Sequence, residues 1–334
     1  NHMFIIAEVG QAHEGSLGIA HSYIDALAET GVQAVKFQTH IANAESSKHE
    51  PFRVNFSFED KTRFDYWKRM EFTIDQWVGL KKHCEDKGME FLSSPFSCAA
   101  VDLLESIGVK RYKIGSGEVN NLLLVKKIIN TGKPIILSSG MSSFAELDRT
   151  VNFIKQHSND LTILQCTSEY PVFAESVGLN VLEELKNRYG VTVGLSDHSG
   201  NIYASLAATS LGADVLEFHI VFDKRLFGPD SKSSLTIEET KSLVQGVNFI
   251  KAALNSKVDK NNLVKFKNIK DIFEKSLSIN KNVKKGEILT EKLLEAKKPK
   301  GFGIDASEYK SILGKKFKHD LDQWSFINKK DLNG

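Results

Sequence analysis

A chain of 334 residues, 41% hydrophobic and 26% charged, has the profile of a soluble globular protein and exceeds what one ordinary core can organise. Its formal net charge of +2 is unevenly spread: from Ser256 onward nineteen lysines and no arginine stand against eleven acidic residues, a surplus of eight that leaves the first 255 residues at minus six. The lysines are spread in ones and twos through alternating apolar sequence, which predicts a solvated surface and no nucleic-acid partner. No apolar run reaches the roughly 18 residues of a membrane span, so no membrane partner is expected.

The three cysteines, Cys84, Cys98 and Cys166, are odd in number and lack the spacing of a metal site, as expected of reduced thiols in a cytoplasmic protein. The leading Asn1-His2-Met3 reads as a tag remnant ahead of a native start at Met3.

Eight short apolar runs follow in order: FIIAEVG at 4–10, AVKFQTH at 34–40, EFLSSPF at 90–96, RYKIGSG at 111–117, PIILSSG at 134–140, LTILQCT at 161–167, VTVGLSD at 191–197 and VLEFHIV at 215–221. Amphipathic segments separate them; Ile19, Tyr23, Ile24, Leu27 and Ala28 show the helical spacing in the first, Val181, Leu182 and Leu185 in the sixth. Strand and helix repeated eight times over about 250 residues predict an α/β fold, the closed (β/α)8 TIM barrel.

One connection is unusually long. Residues 41–74 carry PFRVNFSFEDKTRFDYWKRMEF, too aromatic for a disordered loop, and read equally as a lid over the barrel mouth or as an insertion packed on an outer helix. The helical pattern of 237–254 ends the barrel domain, placed at 1–255. The polar NSKVDKNN opens a linker at 256–275, and 276–334 form a second unit, too small for much core of its own.

The residues at the strand ends are Glu14 just beyond the first, Lys36 and Gln38, Ser94, Lys113 and Ser116, Ser138, Tyr170 after the sixth, and then His198 and His219. In a parallel barrel these ends open onto the face where ligands bind. Alternation turns Lys36 with Gln38, and Glu217 with His219, to one side of their strands. Inward lysines, small hydroxyls and the turns GSG and SSG suit a phosphate and a carboxylate. The plainer alternatives are ion pairs of Lys36 and Lys113 with Glu8 or Glu118, and turn chemistry for the serines. His198 and His219 offer two imidazoles to a divalent metal, or simply cap two strands.

HEGS at 13–16, VKFQTH at 35–40, SSPFS at 93–97, YKIGSGE at 112–118, KPIILSSGM at 133–141, CTSEYP at 166–171, GLSDHS at 194–199, EFH at 217–219 and GPD at 228–230 succeed one another in an order that resembles the sialic acid synthase family, which includes N-acetylneuraminate, legionaminate and pseudaminate synthases. The tail, with VKKGE at 283–287, KKPKGFG at 297–303 and LGKK at 313–316, is similar to the antifreeze-like (SAF) lid domain of those enzymes. In the family that domain caps the partner subunit's barrel, which implies a domain-swapped homodimer.

The resemblance implies condensation of phosphoenolpyruvate with an open-chain N-acylmannosamine-type hexose, giving a nine-carbon 3-deoxy-2-ulosonic acid and phosphate. Carried over residue by residue, it implies Mn2+ or Mg2+ on His198 and His219. Lys36, Ser94, Lys113, Ser116 and Ser138 would bind phosphoenolpyruvate; Glu14, Gln38, Tyr170 and Asp230 would orient the hexosamine-type sugar, with Lys298 reaching it from the partner chain. Lys36 and Lys113 would also offset the charge of a tetrahedral intermediate, and Glu14 and Glu217 are both candidates for proton transfer.

Three positions depart from the commoner family pattern: Gln165 stands in place of His, Ser168 in place of an Asn found in some members, and Lys298 in place of the Arg offered to the sugar's acyl group. Lys lacks the planar fork of Arg, so the acylamino substituent would be read differently or be absent. The rival readings are a synthase acting on another aldose, including sugar phosphates, a Schiff-base pyruvate aldolase using Lys113 or Lys36, and a carbohydrate-binding protein with an inert barrel.

Overall fold

The computed structural model describes residues 3–157 and 160–334, so Asn1 and His2 of the expected tag remnant lie outside the described residues. The chain divides into two compact units, residues 1–256 and 257–334.

The first unit holds eight strands: β1 (Phe4–Gly10), β2 (Ala34–Thr39), β3 (Glu90–Pro95), β4 (Tyr112–Ile114), β5 (Ile135–Ser138), β6 (Leu161–Cys166), β7 (Thr192–Asp197) and β8 (Val215–His219). They form one parallel sheet in the order β3-β2-β1-β8-β7-β6-β5-β4. Its edges, β3 and β4, lie against each other, and Arg111 beside β4 pairs with Glu90 on β3 at 2.8 Å, so the sheet curls into a barrel. The helices between strands are α1 (Leu17–Ala28), α2 (Ala42–Glu45), α3 (Arg63–Met70), α4 (Ile74–Asp86), α5 (Cys98–Ile107), α6 (Leu122–Ile129), α7 (Phe144–Lys155), α8 (Val181–Tyr189) and α9 (Tyr203–Ser210), with α10 (Ile237–Asn255) after β8. The expected (β/α)8 alternation is present, each apolar run supplying one strand.

Alternation along the strands divides their side chains between two environments. Ile5, Ala7 and Val9 of β1, Val35 and Phe37 of β2, and Leu216 and Phe218 of β8 join a core shared with helix residues such as Tyr23, Leu27, Trp77 and Leu80. The alternate positions begin with a separate apolar cluster of Ile6, Ala34, Leu92, Ile136, Leu164 and Val215. Two residues farther along, the same faces carry Glu8, Lys36, Ser94, Ser138 and Glu217. The barrel interior thus changes from hydrocarbon to charge within one layer.

Helix starts are fixed by side-chain caps. Thr73, Ser143 and Thr236 form reciprocal capping boxes with Gln76, Glu146 and Glu239 at the starts of α4, α7 and α10. Among the described residues no helix is long and apolar enough to cross a membrane.

The stretch 41–74 contains α2 and α3 and a small cluster of its own, Ala42, Tyr66, Trp67 and Met70, with Phe52, Phe56 and Phe64 against it. Residues 256–275, read from sequence as a linker, carry α11 (Lys267–Phe273). The second unit pairs β9 (Ser276–Ile279) with β10 (Leu294–Lys297) and β11 (Lys316–Phe317) with β12 (Leu332–Asn333), both antiparallel. Contrary to the expectation of little core, it encloses Leu277, Ile279, Val283, Leu289, Phe317 and Ile327 in an apolar cluster of its own.

Candidate active site

The strand ends of the barrel enclose a polar cavity of about 200 Å³. Its floor is an ion-pair network. Lys36 Nζ lies 2.8 Å from Glu8 and 3.3 Å from Glu217, and Lys113 Nζ lies 3.0 Å from Glu217. Lys36 also donates to Ser94 Oγ at 3.0 Å, and Ser196 Oγ to Glu217 at 3.2 Å. The ion-pair alternative is therefore realised for Lys36 with Glu8, whereas Lys113 pairs with Glu217, which Lys36 shares. Glu118 is not Lys113's partner; it accepts instead from Asn121 at 2.8 Å.

Burial would raise the Glu217 carboxyl, but the ammoniums of Lys113 and Lys36 overcome it and hold the group well below the usual carboxylate range. Burial pulls Lys36 down, yet Glu217 and Glu8 together keep it above its ordinary value. For Lys113 burial wins, aided by repulsion from Lys36, and its ammonium is weakened although Glu217 opposes the shift.

Above the network stands the imidazole pair. The rings of His198 and His219 are 5.4 Å apart, and Tyr170 packs on His198 at 4.5 Å. Burial, and secondarily the His219 ring, pushes His198 down to about 3, so it is neutral at physiological pH. His219 Nδ1 is 3.8 Å from Asp230 and its Nε2 3.9 Å from Glu8. The motif GLSDHS accounts for this placement: a Cβ on Gly194 would overlap the Val215 carbonyl, and Asp197 accepts from the Ser199 backbone and hydroxyl at 3.1 and 2.6 Å, fixing the turn that presents His198.

On the other wall, Ser116 and Ser138 line the cavity. The Ser138 and Ser168 hydroxyls are buried without a hydrogen-bond partner among the described residues. A Cβ added to Gly140 would collide with both Ser116 Oγ and Ser168 Oγ. The unpartnered Ser138 hydroxyl thus shares the polar cavity with Ser116 and the two lysine ammoniums, donors that could receive an oxyanion.

Glu14 lies outside this cavity. It borders a second, mainly apolar cavity of about 480 Å³ that shares Gln11, His219 and Asp230 with the first. The motif HEGS builds its position. Gly15 donates to His13 Nδ1 at 2.9 Å, Glu14 takes φ 54, and Gly15 has φ 77 against the Arg69 carbonyl, where a Cβ would collide. Ser16 then caps α1. Arg69 holds the Glu14 backbone oxygen at 2.9 Å and its carboxylate at 3.2 Å. Burial nevertheless raises the Glu14 carboxyl to about 7, against the pull of Arg69.

Of the residues expected at the site, Lys36, Gln38, Ser94, Lys113, Ser116, Ser138, Tyr170, His198, Glu217, His219 and Asp230 line the polar cavity, whereas Glu14 is next door. Lys298 belongs to the second unit, where its ammonium sits 4.8 Å over the Phe273 ring. Gln165 does not line the polar cavity: its amide bridges Ser139 Oγ at 3.3 Å and the Val177 carbonyl at 3.2 Å.

Sequence reasoning missed Glu8 as a cavity residue and missed Arg53 and Arg63 of the insertion. Arg53 reaches Asp230 at 3.0 Å and lies 4.1 Å over the Tyr170 ring. The signal for Glu8 was a carboxylate inside the otherwise apolar run FIIAEVG; the two arginines had no periodicity to mark them.

The chain matches the NeuB family profile over residues 23–259. It is 37% identical to the N,N'-diacetyllegionaminic acid synthase of Campylobacter jejuni, over 93% of this chain and 94% of the relative. It is 34% identical to the pseudaminic acid synthase of Helicobacter pylori, over 93% and 92%. Among solved structures, the N-acetylneuraminic acid synthetase of Leptospira borgpetersenii, in complex with citrate, superposes with a TM-score of 0.71 at 29% identity, covering 80% of this chain and 90% of that one. A profile spanning most of the barrel, with full-length relatives that are acid synthases, establishes that this chain is an enzyme belonging to the NeuB family of sialic acid synthases.

Proposed function

We propose that the protein condenses phosphoenolpyruvate with an N-acylmannosamine-type hexose, giving a nine-carbon 3-deoxy-2-ulosonic acid and inorganic phosphate. The setting is the cytoplasm, and the working form is a homodimer in which an antifreeze-like domain, residues 276–334, caps the partner's barrel. The observation that carries this reading is the meeting, in one cavity, of two buried ammoniums, the unpartnered Ser138 hydroxyl and an imidazole pair. An enol phosphate carries two anionic groups that need such donors, and its partner aldehyde needs an electrophilic neighbour.

In the reaction, C3 of the enol bonds to the aldehyde carbon. Water adds at C2, and the C2–O bond to phosphate breaks with the electron pair leaving on phosphate. Lys36 and Lys113 bind the carboxylate and phosphate and offset charge as that bond breaks, with Ser94, Ser116 and Ser138 donating hydrogen bonds. The aldehyde oxygen gains a proton while the added water loses one, which suits a single group able to give and accept near neutrality. Glu14, raised to about 7 and bordering the adjoining cavity that shares His219 and Asp230 with the polar one, is the candidate for that role. Glu217 is kept ionised by its lysines and serves to hold them. Gln38, Tyr170 and Asp230 orient the sugar, with Lys298 of the partner chain offering a point charge to the acyl group.

Two of the residues present, His198 and His219, suit a divalent cation, Mn2+ or Mg2+. His198 and His219 would hold it: their rings are neighbours, and His198 is neutral and so keeps a lone pair for a ligand. Among the described residues no group of three or more His, Cys, Asp or Glu could hold a metal ion, so the pair would be the protein's main contribution. When bound, such a cation supplies Lewis acidity toward the sugar aldehyde.

The test is phosphate release from phosphoenolpyruvate with N-acetylmannosamine, mannose and 2,4-diacetamido trideoxy hexoses in parallel, with and without EDTA. Release with one sugar and its loss on chelation are expected; no release with any would refute the proposal. One observation favours a second reading. Lys113 is buried in the cavity, its Nζ 3.0 Å from Glu217 and its basicity lowered by burial, a setting open to a Schiff-base nucleophile, and borohydride trapping of a pyruvyl adduct would reveal it.

A further inference from the structure

The insertion between β2 and α4 brings Arg63 to the polar cavity. Its surroundings differ from those of an arginine that only ties down a loop. Arg69, on the same helix, is fully engaged: Nε and Nη2 bind Asp60 at 3.1 and 2.8 Å, and Nη1 binds the Glu14 carbonyl at 2.9 Å. Arg63 is 7% exposed, yet its Nη1 has no hydrogen-bond partner among the described residues. Its ion-pair partner there is Glu50, 3.5 Å from Nε, and the Glu50 carboxylate already accepts from Trp67 Nε1 at 3.0 and 3.1 Å.

The guanidinium is nevertheless held firmly. It lies 4.2 Å over Trp67 and 4.8 Å over Tyr66. Trp67 in turn stacks on His40 at 3.9 Å, and His40 on Phe96 at 4.5 Å. A planar cation fixed on aromatic faces with an idle N–H is preorganised for an incoming acceptor. Burial already draws its basicity below the ordinary arginine range, a deficit that an anion would relieve.

We propose that Arg63 is an oxyanion-binding residue of the cavity, donating its free N–H to a phosphate or carboxylate oxygen of a bound substrate. The identity of that substrate rests on the function proposed above; the oxyanion site does not. The anion is either phosphoenolpyruvate's own or one carried by an acidic acceptor sugar, and kinetics separate the two.

The experiment compares the full-length wild type with Arg63→Gln and Arg63→Lys, measuring KM for phosphoenolpyruvate and for the acceptor, and the melting temperature with and without inorganic phosphate or phosphoenolpyruvate. In Arg63→Gln the KM of the anion-bearing substrate is expected to rise about tenfold, the effect of losing one charge-assisted hydrogen bond, with kcat changed far less. The stabilisation by phosphate should shrink, and Arg63→Lys should recover part of both. A rise confined to phosphoenolpyruvate assigns the oxyanion to it; a rise confined to a phosphorylated or carboxylated acceptor assigns it there. Unchanged KM values with an undiminished phosphate shift overturn the proposal, even if the variant melts lower, since that pattern belongs to a purely structural arginine. A wild type that gains no stability from phosphate or phosphoenolpyruvate overturns it as well. Loss of the phosphate shift in Arg63→Gln, without turnover of phosphoenolpyruvate by the wild type, leaves the oxyanion site standing and removes the functional reading.

Discussion

Glu217 Oε1 accepts from the Lys113 ammonium at 3.0 Å, with both side chains almost fully buried. The same oxygen lies 3.3 Å from Lys36, while Oε2 has no hydrogen-bond partner among the described residues. One carboxylate thus neutralises the interior of the barrel mouth together with Glu8. Replacing it by Gln leaves two buried ammoniums sharing Glu8 alone. We expect Glu217→Gln to lose roughly 3–5 kcal/mol of stability, as for a buried pair that loses one partner, and to be rescued by phosphate more than the wild type is. Chemical denaturation with and without phosphate measures both; an unchanged midpoint would show that Glu217 does not hold the lysines.

The imidazole pair leads to a second expectation. His219 sits at the end of β8, 5.4 Å from His198 between ring centres and within 4 Å of both Asp230 and Glu8. His219→Ala removes a proposed ligand and little packing, so the circular dichroism spectrum should be retained. Metal-stimulated turnover should fall by more than about 100-fold, the upper end of what loss of a mere outer-shell partner costs. Full activity of the variant after chelation would eliminate the pair as a metal site.

Gly140 offers a third. A methyl group there would overlap the Ser116 and Ser168 hydroxyls, displacing Ser116 from its place in the cavity wall. Gly140→Ala should raise the KM for phosphoenolpyruvate about tenfold or more, the loss of one or two good hydrogen bonds, and leave the acceptor KM nearly untouched. Equal changes in both would point to general distortion of the mouth.

The barrel was legible because its strands are buried on both faces and therefore read as short apolar runs between amphipathic helices. The residues within those runs that break the apolar pattern, Lys36, Lys113, Glu217 and His219, are the ones the structure gathers. What could not be read was partnership across the barrel. Glu217 meets Lys113 over a separation of 104 residues and Lys36 over 181, and no local pattern chooses between Glu217 and Glu118 as an acceptor. Arg53 and Arg63 were hidden for another reason. They come from an insertion without periodicity, where Arg63 is placed by the rings of Tyr66 and Trp67 and Arg53 by Asp230 and the Tyr170 ring. The small unit's core escaped notice because its apolar residues are dispersed among lysines and become neighbours only once β9 to β12 have paired.

Glu14 ties the local fold to pH. Burial raises its carboxyl from 4.5 to about 7, so between those values the native state keeps a proton that the unfolded chain has released. Stability contributed by this group is therefore complete below pH 4.5, declines as pH rises through the window to 7, and changes no further above it. In Glu14→Gln that component of the pH dependence should vanish, because Gln keeps the neutral, hydrogen-bonding form at every pH. Catalysis should respond differently. If Glu14 both gives and accepts the proton, the variant should retain its fold and lose about 10²- to 10⁴-fold in kcat/KM, and the inflection near pH 7 in the wild-type rate profile should disappear with it. Denaturation midpoints from pH 4 to 9, set beside kcat/KM across the same range, separate the two roles: a variant whose rate profile keeps the wild-type inflection would return Glu14 to a structural part, anchoring the turn through Arg69.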